Sequence, residues 1–351
     1  MFRKLVLSSL VCSLAACGGS KLSYNYTEGT PSTEAAADSV ITASTADVTI
    51  NGVTYTSISD ASTQLNGAGV DLVATTDTGA RAAWQQGWTG KGVKVGLADN
   101  FNANGILDDH GDYVAIVAGS VAPEASYVAM DMLNSNNDGQ DFTADEALAY
   151  FEENGYHIIN ASWGISKHNM DTGAVLATFD TLVAEAVADF DAAAEDAKHA
   201  LIIYAAGNSG IWCPGKRIED CNAKAAEIDD LREAGETVGQ KLIFVGSLDD
   251  GVNTMANYSF IAGDLMNDFI VAHDDVLSAG DMSGTSFAAP RVTGAAALVS
   301  HKFPNLAGEQ IKQVLLQTAT DLGATGVDAT FGHGKLNVAG ALSPQGTVVP
   351  R

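Results

Sequence analysis

Six apolar runs recur through the middle of the chain: "VKVGLAD" (93–99), "SYVAMDML" (126–133), "HIINASW" (157–163), "ALIIYAAG" (200–207), "KLIFVGSLD" (241–249) and "FIVAHD" (269–274). They are mostly continuous, not alternating, which is the pattern of strands buried on both faces. Between them lie stretches of helical character such as "TADEALAYFEENG" and "TLVAEAVADFDAAAEDAKHA". Strand and helix in alternation predict an α/β fold, a doubly wound and mainly parallel sheet with helices on both faces. In such sheets, sites gather beyond the carboxyl ends of the strands, so the residues after each run matter most. A later stretch, "SGTSFAAPRVTGAAALVSHKF" (283–303), reads from Ala288 on as a core helix, small and apolar with few charges. Its first turn holds a hydroxyl, Ser286.

The pattern before the first run is different. "MFRKLVLSSLVCSLAAC" has Arg3 and Lys4 followed by an apolar run to Ala16. The run is short for a membrane span and has the charged-then-apolar layout of an export signal. Small residues then lead directly into Cys17, which resembles a bacterial lipoprotein signal: residues 1–16 removed and Cys17 lipidated. The plainer reading is an ordinary signal peptide with an incidental cysteine. Gly18, in place of Asp, resembles outer-membrane or cell-surface sorting. Residues 17–77 read as a tether rich in Ser, Thr, Ala and Gly, then a hairpin around Asn51-Gly52 in "VTINGVTYTSI". That hairpin is either a remnant pro-segment or an added edge ribbon. Residues 78–351 carry the alternating pattern and form the main domain.

Composition narrows the partners. The formal charge is −25, from 18 basic and 43 acidic residues. Nucleic acid or an anionic membrane surface would need a basic face, so neither is expected, and membrane contact is left to the lipid. With Cys12 lost in the signal and Cys17 lipidated, Cys213 and Cys221 remain of the 4 cysteines. In an exported protein the pair is most simply a disulfide closing a small loop, with two free thiols as the plainer alternative.

Four residues at strand or helix ends could carry chemistry: Asp99 closing its run, His110 heading a helix in "DDHGDYVAIVAG", Asn208 in "AAGNSG", and Ser286. Singly, each reads as a cap or turn residue. In that order and with those neighbours, the chain resembles the subtilisin-like serine proteases from about Gly87 to Leu342. "GKGVKVGLAD" is similar to that family's aspartate strand, "HGDYVAIVAG" to its histidine segment, "AAGNSG" to its oxyanion asparagine, and "GTSFAAP" to its serine segment. "FGHGKLNVAGAL" is similar to its closing segment. The resemblance implies a catalytic domain at 78–351, with Ser286 as nucleophile, His110 as its base, Asp99 orienting the imidazole and Asn208 as oxyanion donor. It also implies protein or peptide substrates and no cofactor for the reaction.

The segment departs from the family in places. Asp112 and Tyr113 replace the usual Thr and second His after His110-Gly111, Asn100 stands where Thr or Ser is usual, and Trp163 is bulky for a groove strand. Two other functions compete. One is a binding lipoprotein on an inactive protease scaffold. The other is a serine esterase, with Asp321 or Asp328 and His333 following Ser286, though the chain beyond Ser286 is short for that topology. "NSNNDGQDFTAD" (134–145) loosely follows a calcium loop but begins with Asn and ends on Asp where Glu chelates. It reads as a polar turn. The sequence assigns no metal ligands, and a structural calcium cannot be located from it.

Overall fold

A computed structural model describes residues 78–99, 101, 110–131, 150–151, 154–162, 200–208, 241–249, 252–276 and 283–344. It also describes the backbone of 48–50 and 53–55, and of Asp131 and Asp264 the backbone alone. The signal segment, Cys17, Cys213, Cys221, Asn100, Trp163 and the segment 134–145 lie outside these residues. So do most of 143–155 and nearly all of 181–200.

The hairpin forms as its sequence predicts. Strands β1 (Val48–Ile50) and β2 (Val53–Tyr55) pair antiparallel across Asn51-Gly52, in a two-stranded sheet separate from the main one. Each of the six apolar runs supplies one strand of the main sheet: β3 (Lys94–Asp99), β4 (Ser126–Asp131), β5 (Ile158–Ala161), β6 (Leu201–Ala205), β7 (Leu242–Leu248) and β8 (Phe269–His273). Their order is β4-β3-β5-β6-β7-β8, and every neighbouring pair is parallel. The chain leaves β3 toward β4 and returns on the other side of β3 to make β5. This reversal opens a crevice at the carboxyl ends of β3 and β5.

Side chains of successive strand residues enter opposite cores. Leu97, Ile158, Ile203, Val245 and Ile270 join one cluster, and Ala98, Ile159, Ile202, Phe244 and Val271 the other. Burial on both sides is why the runs are continuous instead of alternating. The first cluster is covered by α2 (His110–Val121) and α3 (Thr285–Lys302), with α1 (Ala80–Trp84), α4 (Gly308–Gln317) and α5 (Val338–Ala341) beside them.

Helix α3 is the central element. It packs on the sheet and on α2 at once, so Val292, Leu298 and Val299 are fully buried. Each such side chain stabilises the fold by roughly 1.5–3 kcal/mol. Gly294 permits the close crossing with α2, because a Cβ there would stand 2.5 Å from the Val121 Cβ and 2.9 Å from the Ala118 carbonyl oxygen. Polar ties complete the contact with the sheet. Thr293 Oγ1 donates to Asn160 Oδ1 of β5 at 2.8 Å, and Asn160 Nδ2 donates to Ser162 Oγ at 2.8 Å.

β6 stops at Ala205, opposite Val245, although the run continues to Gly207. The Gly207 N–H donates not to a strand but to Thr285 Oγ1 at the head of α3, 3.0 Å away. There the sheet gives way to the site.

Candidate active site

Asp99 is the last residue of β3, at the reversal of strand order, and is buried at 2% exposure. His110 is the first residue of α2, and its Nδ1 lies 2.7 Å from Asp99 Oδ1. A carboxylate accepts at that distance, so Nδ1 carries the proton and a neutral ring leaves Nε2 as a base. Burial disfavours the imidazolium, but the hydrogen bond and negative charge of Asp99 outweigh it, and the His110 pKa is raised above its ordinary value. The imidazole also lies against the Phe287 ring, centroids 5.3 Å apart.

Ser286 is the second residue of α3, not its cap. The N-cap is Gly284, with φ 154° and ψ 155°, and no side chain caps it from that position. The cap reading of Ser286 is thereby replaced: its hydroxyl stands inside the first turn of an 18-residue helix whose free N–H groups favour negative charge. Gly284 also allows close approach, since a Cβ there would come 3.2 Å from Asn208 Nδ2.

Asn208 follows β6, and chemistry alone fixes its amide. The Thr285 backbone N–H, which can only donate, reaches the Asn208 side chain at 3.0 Å, so the atom facing it is Oδ1. Thr285 Oγ1 bonds the same oxygen at 3.1 Å while accepting the Gly207 N–H. Thr285 is fully buried and clamps both ends of this corner. With its oxygen engaged, Asn208 presents Nδ2 as its donor.

The two neighbours of Ser286 therefore join the other three candidates. Thr285 holds Asn208 on one side, and Phe287 packs on the Asp99-bonded His110 on the other. The departures after His110 leave this pair intact: Asp112 is buried and Tyr113 packs against the core. The esterase constellation gains no support. Asp328 accepts the backbone N–H groups of Ala324, Thr330 and Phe331, Asp321 accepts that of Gly326, and His333 Nε2 faces the Asn267 carbonyl. Sequence reasoning did not single out the clamping role of Thr285. Its signal was present in "GTSFAAP", but its partner lies 77 positions away.

A parallel α/β sheet with a carboxylate–imidazole pair and a serine-bearing helix start at its carboxyl edge is the class of protein described so far. The family model described as "Subtilase family" matches residues 94–334, and the chain belongs to that family. It is a subtilisin-like serine protease, a hydrolase. Subtilisin Savinase of Lederbergia lenta is 27% identical over 290 residues, covering 75% of this chain and 95% of that protein. An extracellular serine protease of Serratia marcescens is 48% identical over 64 residues, which are 18% of this chain and 6% of that protein. A crystal structure of a lanthipeptide protease matches the fold with a TM-score of 0.55 at 20% identity, over 78% of this chain and 93% of its own.

Proposed function

We propose that the protein is an extracytoplasmic, lipid-anchored serine endopeptidase that cleaves protein or peptide substrates through an acyl-enzyme. The observation that carries this reading is the pair of contacts flanking Ser286, Asn208 through Thr285 and His110 through Phe287. In the proposed cycle Ser286 Oγ attacks the substrate carbonyl carbon and His110 Nε2 takes its proton. Asp99 holds the ring in the Nδ1–H tautomer and stabilises the imidazolium. Negative charge then develops on the carbonyl oxygen, where Asn208 Nδ2–H and the Ser286 N–H donate to it. His110 passes its proton to the leaving amine. Water attacks the acyl-enzyme by the same route in reverse, and Ser286 is restored. No step calls for a cofactor.

The location rests on the sequence. The leader ending at Cys17 supports lipid attachment, the charge of −25 supports a lipid-only contact with the membrane, and the Serratia relative is named as extracellular. Domain limits follow the same reading: signal 1–16, tether and hairpin 17–77, catalytic domain 78–351. A Cys213–Cys221 disulfide fits export.

Ser286→Ala tests the chemistry. It removes the attacking oxygen alone, so peptidase activity should vanish while circular dichroism and melting stay those of the wild type. A serine-directed phosphonate should label the wild type at Ser286 and leave the variant unlabelled. Full activity in a folded Ser286→Ala protein would overturn the assignment.

A further inference from the structure

Gly284, two residues before Ser286, is held by a carboxylate outside the triad. Asp274 follows β8 and is buried at 1% exposure. Its Oδ2 accepts the Gly284 N–H at 2.5 Å and also the hydroxyl of Tyr258.

A carboxylate so deeply buried is costly unless it is well partnered. Burial pushes the Asp274 pKa up, while the hydrogen bonds from Tyr258 and Gly284 and the charge of Arg291 oppose that push. Arg291, fully buried on α3, secures the same corner, with Nη1 donating to the Phe287 carbonyl and Nη2 to the Asp275 carbonyl at 2.5 Å. The segment after β8 is thus tied to the first turn of α3 at both Gly284 and Phe287.

We propose that Asp274, oriented by Tyr258, is a positioning residue that sets the angle at which Gly284 delivers Ser286 and its N–H groups to the substrate. The proposal rests on Ser286 being the nucleophile. Gly284 supplies no side-chain cap of its own, so Asp274, just past the end of β8, provides the acceptor that the helix start lacks. Thr285 is fixed from β6 through Asn208 and Gly284 from β8 through Asp274, so the turn has little freedom to tilt. A nucleophile displaced by as little as about 1 Å can lose roughly 100-fold in rate. Asp274 makes its hydrogen bonds to Gly284 and Tyr258, not to Ser286, so its effect belongs in kcat more than in KM.

Steady-state kinetics and melting curves on the mature protein, with Ser286→Ala as the zero-activity control, decide the matter. Asp274→Ala should lower kcat by about 10- to 100-fold with KM changed less than about threefold. Asp274→Asn keeps an acceptor oxygen for both Gly284 and Tyr258, so it should recover kcat to within about threefold of wild type. Tyr258→Phe removes one hydroxyl and should lower kcat severalfold at unchanged KM. It serves as the direct test where Asp274→Ala does not fold. Normal kcat in folded Asp274→Ala, or in Tyr258→Phe, overturns the proposal, as does an Asn variant as impaired as the Ala variant. If the wild type itself is no more active than Ser286→Ala, the endopeptidase reading fails instead, and the two failures are distinguishable.

Discussion

Asn208 does two jobs with one amide, and substitutions can separate them. Its Oδ1 accepts from the Thr285 N–H and Oγ1, and its Nδ2 is the proposed oxyanion donor. Asn208→Ala removes both. Leaving the buried Thr285 groups without that acceptor should cost about 1–3 kcal/mol of stability. Losing the donor should lower kcat by about 10²–10³, or ~3–4 kcal/mol, the loss seen when one oxyanion donor is deleted from a related serine protease. Asn208→Asp is sharper. A carboxylate still accepts from Thr285, so the melting temperature should stay near that of wild type, but it offers no donor and repels the developing oxyanion. Its kcat should fall at least as far as in the Ala variant, with KM little changed, because the ground-state carbonyl carries no full charge. The assay is peptide hydrolysis with a melting curve on the same preparation. An Asp variant that melts normally and keeps kcat within about fivefold of wild type would refute the oxyanion assignment.

Asp99→Asn should lower kcat by roughly 10⁴, because the imidazole loses its oriented tautomer and the charge that stabilises its cation. The same change removes what raises the His110 pKa, and since the neutral ring is the base, the acid limb of the kcat/KM profile should move to lower pH; an unmoved limb would separate Asp99 from that titration. Gly294→Ala should destabilise the fold by about 1–3 kcal/mol through overpacking against Val121 and Ala118, seen as a lower melting temperature with kcat of the folded fraction retained. Mass spectrometry of the mature protein should find lipid on Cys17 and no free thiol at Cys213 or Cys221 before reduction; an unmodified Cys17 or two free thiols would remove the corresponding assignment.

The six strands were legible because burial on both faces of a parallel sheet leaves a continuous apolar run, a property of each segment by itself. Asp99, His110, Asn208 and Ser286 were legible for a related reason, since each sits where an element begins or ends and carries its own short neighbourhood. What the sequence could not decide was how those neighbourhoods face one another. Taken alone, Ser286 read as a cap, and its neighbouring motifs favoured a nucleophile; the structure adds that Gly284 takes the cap position and Ser286 lies inside the turn. The direction of the Asn208 amide depends on a Thr285 N–H 77 positions away, and Asp274 finds Gly284 only because β8 lies beside β7 and under α3. Local pattern records what a residue needs, a buried face or a turn. Which donor meets which acceptor is decided by sheet order and helix crossing, and those arise only when the whole chain packs.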